Sequence, residues 1–171
     1  MSEVEWKRTY YDDDQLRDMT PYVNGQEHGI AKHYYSSGQL SDDTPFVNGQ
    51  LHGVQKYYYK SGRLDYEVPW INNQQHGVQR GYYPDGRLSL KIIWINGQVQ
   101  GVGKTYHSNG QLDLQITFVN GQKHGIEKKY HRDGQLQREI LWINNKQRND
   151  LLGDEHKLAR LVLLGWEWEV M

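Results

Sequence analysis

The chain has 171 residues, 36% of them hydrophobic, with 20 basic against 21 acidic side chains and no cysteine. That length suits one domain, the thin apolar supply argues for a shallow, extended structure, and balanced, interspersed charge argues against nucleic acid or an anionic membrane as partner. Disulfides and thiolate zinc sites are excluded, no apolar run of about 18 residues could span a bilayer, and Met1 to Trp6 lacks a basic-then-apolar leader, so a soluble, cytoplasmic protein is expected.

In chain order, the first element is a hairpin beginning near Val4, because Trp6 lies 24 residues before Ile30, its counterpart in the next unit. The 24-residue period then runs six times without insertion or deletion, marked by Tyr10, Tyr34, Tyr58, Tyr82, Tyr106 and Tyr130 and by the asparagines from Asn24 to Asn144. A fixed period is the mark of an array whose units pack on their neighbours.

Two turns cut each unit. The first ends at Gly38, Gly62, Gly86, Gly110 or Gly134, with Asp14 in the first unit; the polar step before it fits a type I turn followed by a left-handed residue and a bulge. The second is Asn-Gly at 24–25, 48–49, 96–97 and 120–121, with Asn73 and Asn145 in place of glycine. Both central positions of a type I′ turn need positive φ, which Gly, Asn and Asp tolerate best. Between the turns, residues alternate with period 2, as in Leu88, Leu90, Ile92 and Trp94 against Ser89, Lys91 and Ile93. That pattern predicts strands.

The expected fold is all-β: six 24-residue β-hairpins in an elongated antiparallel meander of about twelve strands, roughly 55 Å long at ~4.8 Å per strand. One face is expected to carry the first tyrosines, the Val/Ile row from Ile30 to Ile126 and the leucines from Leu40 to Leu136, together with the aromatic row Tyr22, Phe46, Trp70, Trp94, Phe118 and Trp142. Glycines at 29, 53, 77, 101 and 125 lie inside the returning strand, where they mark a bulge, a bend or a close aromatic neighbour. Pro21, Pro45 and Pro69 predict a bulge or strand break at their own positions in the first three units. The repeat domain covers residues 1–149, and 150–171 form a C-terminal cap. There Asp154-Glu155 can open a short helix that Gly165 stops, and Trp166 and Trp168 offer either a capping edge or a contact for a dimer mate or partner.

The histidines at 28, 52, 76 and 124 invite a metal, but equivalent positions two strands apart lie roughly 9.6 Å from each other. Zinc needs ligand bonds of ~2.0–2.1 Å, so a structural histidine beside the turn is the better reading. No nucleophile motif, phosphate loop or dinucleotide fingerprint is present; no catalytic residue, metal or cofactor is expected. The row Tyr11, Tyr35, Tyr59, Tyr83, His107 and His131 should point opposite to the first tyrosines. It is either a recognition surface, since tyrosine gives contact area at low entropy cost, or a row packed against the neighbouring repeat of a curved sheet.

The run Asn-Gly-Gln-x-His-Gly followed by Tyr-Tyr-x-x-Gly-x-Leu, as in Asn48 to Gly53 and Tyr58 to Leu64, resembles the MORN-repeat variant family over residues 4 to about 149. Many bacterial members of that family are labelled YwqK-type antitoxin components. The resemblance implies a non-enzymatic interaction module and, through that label, a toxin as protein partner, neutralised by occlusion. The expected function is thus a protein-binding scaffold acting through the second tyrosine row, His107, His131, Trp166 and Trp168, with no nucleic acid or membrane partner. The alternative is an assembly protein that self-associates through its ends, as a homodimer or longer.

Overall fold

The computed structural model describes residues 3–148. Its architecture follows from the two turns. At each Asn-Gly step both central residues have positive φ, 51° at Asn24 and 76° at Gly25, which twists the hairpin in the sense its strands require. Where asparagine replaces glycine, the φ values are 65° at Asn73 and 63° at Asn145. There the added side chain finds a partner: Leu51 N–H donates to Asn73 Oδ1 and Lys123 N–H to Asn145 Oδ1, both at 2.7 Å. The other turn closes with Gly38 N–H donating to the Tyr35 carbonyl and Tyr35 N–H to the Gln39 carbonyl, both at 2.8 Å. The register then slips by one residue between His33 and Tyr34. The same bulge recurs at each such turn, and Asp14 takes the left-handed position of the first at φ 62°.

Long strands of eight residues (Leu16–Val23, Leu40–Val47, Leu64–Ile71, Leu88–Ile95, Leu112–Val119, Leu136–Ile143) alternate with return strands of six (Glu5–Tyr10, Gly29–Tyr34, Gly53–Tyr58, Gly77–Tyr82, Gly101–Tyr106, Gly125–Tyr130). A two-residue piece, such as Gln26–Glu27, follows each of the six Asn turns, so the antiparallel sheet counts 18 strands in all among the described residues. Each interior long strand pairs with the return strand before it and the one after it, as Leu40–Val47 does with Gly29–Tyr34 and Gly53–Tyr58. The described residues contain no helix. The meander read from the sequence is therefore the fold; the cap at 150–171 lies outside the described residues.

The interruption expected at the prolines sits elsewhere. Pro21, Pro45 and Pro69 lie in register inside long strands, opposite Trp6, Ile30 and Val54. The ladder breaks on the other side, at the start of the following return strand, where His52 N–H donates to the Pro45 carbonyl at 3.1 Å and Gly53 takes φ 118°. The break also occurs opposite Ile93 and Thr117, where Gln100 and His124 N–H groups donate at 2.9 Å. Proline does not cause it. The break instead admits proline, whose missing N–H falls where no ladder bond is made.

The two faces also divide differently from expectation. Gly53 pairs with Trp70 and Val54 with Pro69, so the aromatic row points away from the Val/Ile row. The bulge is the reason: Tyr82 faces Leu88 while Gly81 faces Leu90, and the one extra residue moves Leu88 to the tyrosine side and leaves Leu90 with Trp94. On the aromatic face a thin core runs along one rung, with Ala31, Thr44, Val68 and Ile116 buried. The rings lean across the return strands over this rung. Trp70 and Trp94 donate Nε1–H to Gln55 and Gln79 at 3.1 and 2.8 Å, and a Cβ at Gly103 would lie 3.2 Å from the Phe118 ring. On the tyrosine face, Tyr58 donates to Asp43 at 2.9 Å and Tyr82 to Glu67 at 3.3 Å.

Candidate interaction surface

The second tyrosines stitch the array along the edge formed by the Gly38-type turns. Tyr11 donates its hydroxyl to the Tyr34 carbonyl at 2.7 Å, and Tyr35 and Tyr59 donate to the Tyr58 and Tyr82 carbonyls at 2.6 Å. Tyr83 bonds Tyr106 in the same way, and His107 Nε2 lies 3.0 Å from the Tyr130 carbonyl. A carbonyl only accepts, so His107 carries its proton on Nε2 and substitutes for the phenol. Of the two readings of this row, the geometry supplies the inter-repeat packing role; the rings of Tyr11, Tyr35, Tyr59, Tyr83 and His107 are half-buried, and His131 is exposed. Trp166 and Trp168 lie outside the described residues.

The opposite edge is stitched by the histidines. Nδ1 of His28, His52 and His76 lies 3.2 Å from Oδ1 of Asn48, Asn72 and Asn96, the turn asparagines one repeat on, and His124 lies 3.0 Å from Asn144. Where Gln100 replaces histidine, its Oε1 accepts the Asn120 N–H at 2.8 Å. Gly49 and Gly97 N–H groups add backbone bonds to the Glu27 and Gln75 carbonyls. No three His, Cys, Asp or Glu side chains among the described residues are placed to hold a metal ion.

One polar cluster was not singled out from the sequence. His33 Nδ1 sits 2.7 Å from Asp18 and its Nε2 3.8 Å from Asp42, while Thr9 and Arg17 also donate to Asp18. Burial pushes the Asp18 carboxyl up, but the bonds from Thr9, Arg17 and His33 outweigh it and hold it at about 2. Beside it Tyr57 and Tyr66 stack, with centroids 4.1 Å apart. Only the hairpin register reveals this cluster, since Asp18, His33 and Asp42 face one another across adjacent strands.

The repeat boundaries can now be set against known families. A model described as "MORN repeat variant" matches residues 27–48, 51–72, 75–96, 99–120 and 123–144. The chain belongs to the MORN repeat variant family. Such repeats serve generally as protein- or membrane-binding modules. Each matched MORN repeat runs from a return strand, through the Gly38-type turn, to the next Asn turn. The segment before residue 27 is unmatched, yet Glu5–Tyr10 and Leu16–Val23 pair with the same bulge, so the MORN array has a sixth unit at its N-terminal end. No curated protein matches the chain. Solved structures similar to it include a mutant of S. aureus TarM in complex with fondaparinux, α-GlcNAc-glycerol and UDP (11% identity, 70% of this chain, 21% of that one, TM-score 0.38). A second TarM structure (10%, 69% and 20%, TM-score 0.32) and a GtfA/B complex bound to UDP and GlcNAc (16%, 91% and 26%, TM-score 0.24) are also similar. The MORN chain thus spans about a fifth to a quarter of the length of these proteins.

Proposed function

We propose that this MORN array is a non-enzymatic scaffold that binds a protein partner on its tyrosine face. One observation carries the reading: Trp6, Ile30 and Val54 occupy the same offset in successive repeats and are 43%, 49% and 43% exposed. They stand in register opposite Pro21, Pro45 and Pro69, making one contiguous apolar band, and such bands mark contact surfaces. The YwqK-type resemblance makes a toxin, neutralised by occlusion, the partner proposed. Tagged protein recovered from its native host should bring down one stoichiometric protein, and a Trp6→Ser/Ile30→Ser/Val54→Ser variant should lose it. Recovery of wild type as a lone monomer overturns the scaffold reading.

A second reading is self-association through the ends. It draws on Glu5–Tyr10, which is exposed at every residue and, among the described residues, pairs on one side only, with Leu16–Val23; an unpaired edge is a template for another strand. Light scattering should then show mass rising with concentration, and a strict monomer at high concentration rejects it.

A further inference from the structure

The tyrosine face carries a charged rung, one residue per strand, in which cations and anions are set opposite each other. Lys32 faces Asp43, Asp43 faces Lys56, Lys56 faces Glu67 and Glu67 faces Arg80. Glu67 pairs with Arg80 at 3.0 Å, and Asp43 and Glu67 accept the hydroxyls of Tyr58 and Tyr82. Opposite charges across strands stabilise the sheet, and like charges directly opposite destabilise it.

The pattern then fails. The position of Asp43 and Glu67 is Lys91 in the next repeat and Gln115 in the one after. Lys91 faces Arg80 on one side and Lys104 on the other, and Lys104 faces Gln115. Arg80 is taken by Glu67 at one end and Lys128 by Glu139 at the other, at 3.1 Å. Among the described residues, Lys91 and Lys104 have no ion-pair partner, and the Tyr106 and Tyr130 hydroxyls have no acceptor. The fold thus sets Lys91 and Lys104 opposite each other, in the rows where one repeat earlier Glu67 takes both the Arg80 cation and the Tyr82 hydroxyl.

We infer that the Lys91–Lys104 stretch of the tyrosine face docks an acidic segment of a protein partner, whose Asp or Glu carboxylates take the place that Asp43 and Glu67 fill in the preceding repeats. The inference rests on the protein-binding reading and deepens it. A carboxylate side chain is the fitting occupant because this geometry already binds one twice within the chain. The apolar band of Trp6, Ile30 and Val54 lies on the same face, so one extended segment can meet both. Lys91 and Lys104 are both half-buried, as suits lysines, whose stems can cover apolar surface while the charged head stays in water.

The test uses a labelled peptide of alternating glutamate and valine, followed by fluorescence anisotropy at low salt against the full chain. The peptide should bind, its glutamine counterpart should bind at least tenfold more weakly, and added salt should weaken binding. Lys91→Glu restores the alternation internally, giving Lys104 a partner and Tyr106 an acceptor. It should lower peptide affinity at least tenfold while its melting temperature equals or exceeds wild type. Lys91→Gln should lower affinity less and also fold. Equal peptide affinity for wild type and Lys91→Glu overturns the proposal. So does tighter binding of phosphatidylserine vesicles or an RNA oligonucleotide than of the peptide, or a dimer that Lys91→Glu dissolves. If Lys91→Glu still captures the host partner that wild type captures, the scaffold reading stands and the lysine assignment falls.

Discussion

Gly53→Ala should destabilise the array by about 3 kcal/mol, the upper end of what one residue forced into a sparse backbone region costs, because strain and overlap act together. Gly53 has φ 118°, and an added Cβ would stand 3.1 Å from Pro45 Cγ and 3.2 Å from Pro45 Cβ. Gly101 occupies the equivalent break at φ 71°, with its nearest obstacle, Ile93 Cδ1, at 3.7 Å. Gly101→Asn should therefore cost about 1 kcal/mol or less, since asparagine visits that region readily. Urea unfolding measures both. Pro45→Ala in the Gly53→Ala background should return the part of the overlap due to Pro45 Cγ, but neither the Cβ contact nor the strain. Equal losses at Gly53 and Gly101 would show that the break tolerates a side chain and that its glycines serve another purpose.

The second large effect is alkaline. Tyr57, Tyr58 and Tyr59 are all pushed up to about 12, first by burial and then by neighbours: Tyr66 and Asp42 beside Tyr57, Asp43 beside Tyr58, Asp65 beside Tyr59. The ordinary tyrosine value is about 10. A folded-state value above the unfolded one means the folded chain holds these protons more tightly. Their contribution is intact below about pH 10 and is lost as pH rises through about 12. The mechanism is concrete: a Tyr59 phenolate has no proton to give the Tyr82 carbonyl, and a Tyr58 phenolate repels Asp43. Tyrosinate absorbance and far-ultraviolet circular dichroism should change together in that window. A sheet signal that persists while all tyrosines titrate near pH 10 would contradict it.

How much of this was legible follows from the range of each interaction. Turn chemistry is local, and the 14 glycines at the three repeated offsets are the same 14 that have positive φ among the described residues. Asp14, Asn73 and Asn145 also stand where the turn types require. Leu88 stands on the tyrosine side as expected, but face assignment failed at the aromatic row, because a bulge of one residue inverts side-chain parity and period-2 reading assumes an unbroken strand. The donor role of Tyr35 depends on a carbonyl 23 residues away, which composition cannot reveal. Lys91 and Lys104 are 13 residues apart and look like scattered charge in the sequence; the register alone makes them neighbours. Asp18 and His33 come together in the same way.

The stitch along the turn edge has a consequence for how such chains change over generations. Its acceptor is always a main-chain carbonyl, at Tyr34, Tyr58, Tyr82, Tyr106 and Tyr130. A backbone acceptor does not depend on which side chain its residue carries, and either a phenol or an imidazole can reach it. A duplicated 24-residue cassette would thus arrive with a donor for the unit after it and an acceptor for the unit before it. Gain or loss of whole cassettes changes the length of the sheet without any junction having to be rebuilt, while substitutions on the exposed rungs leave the stitch untouched.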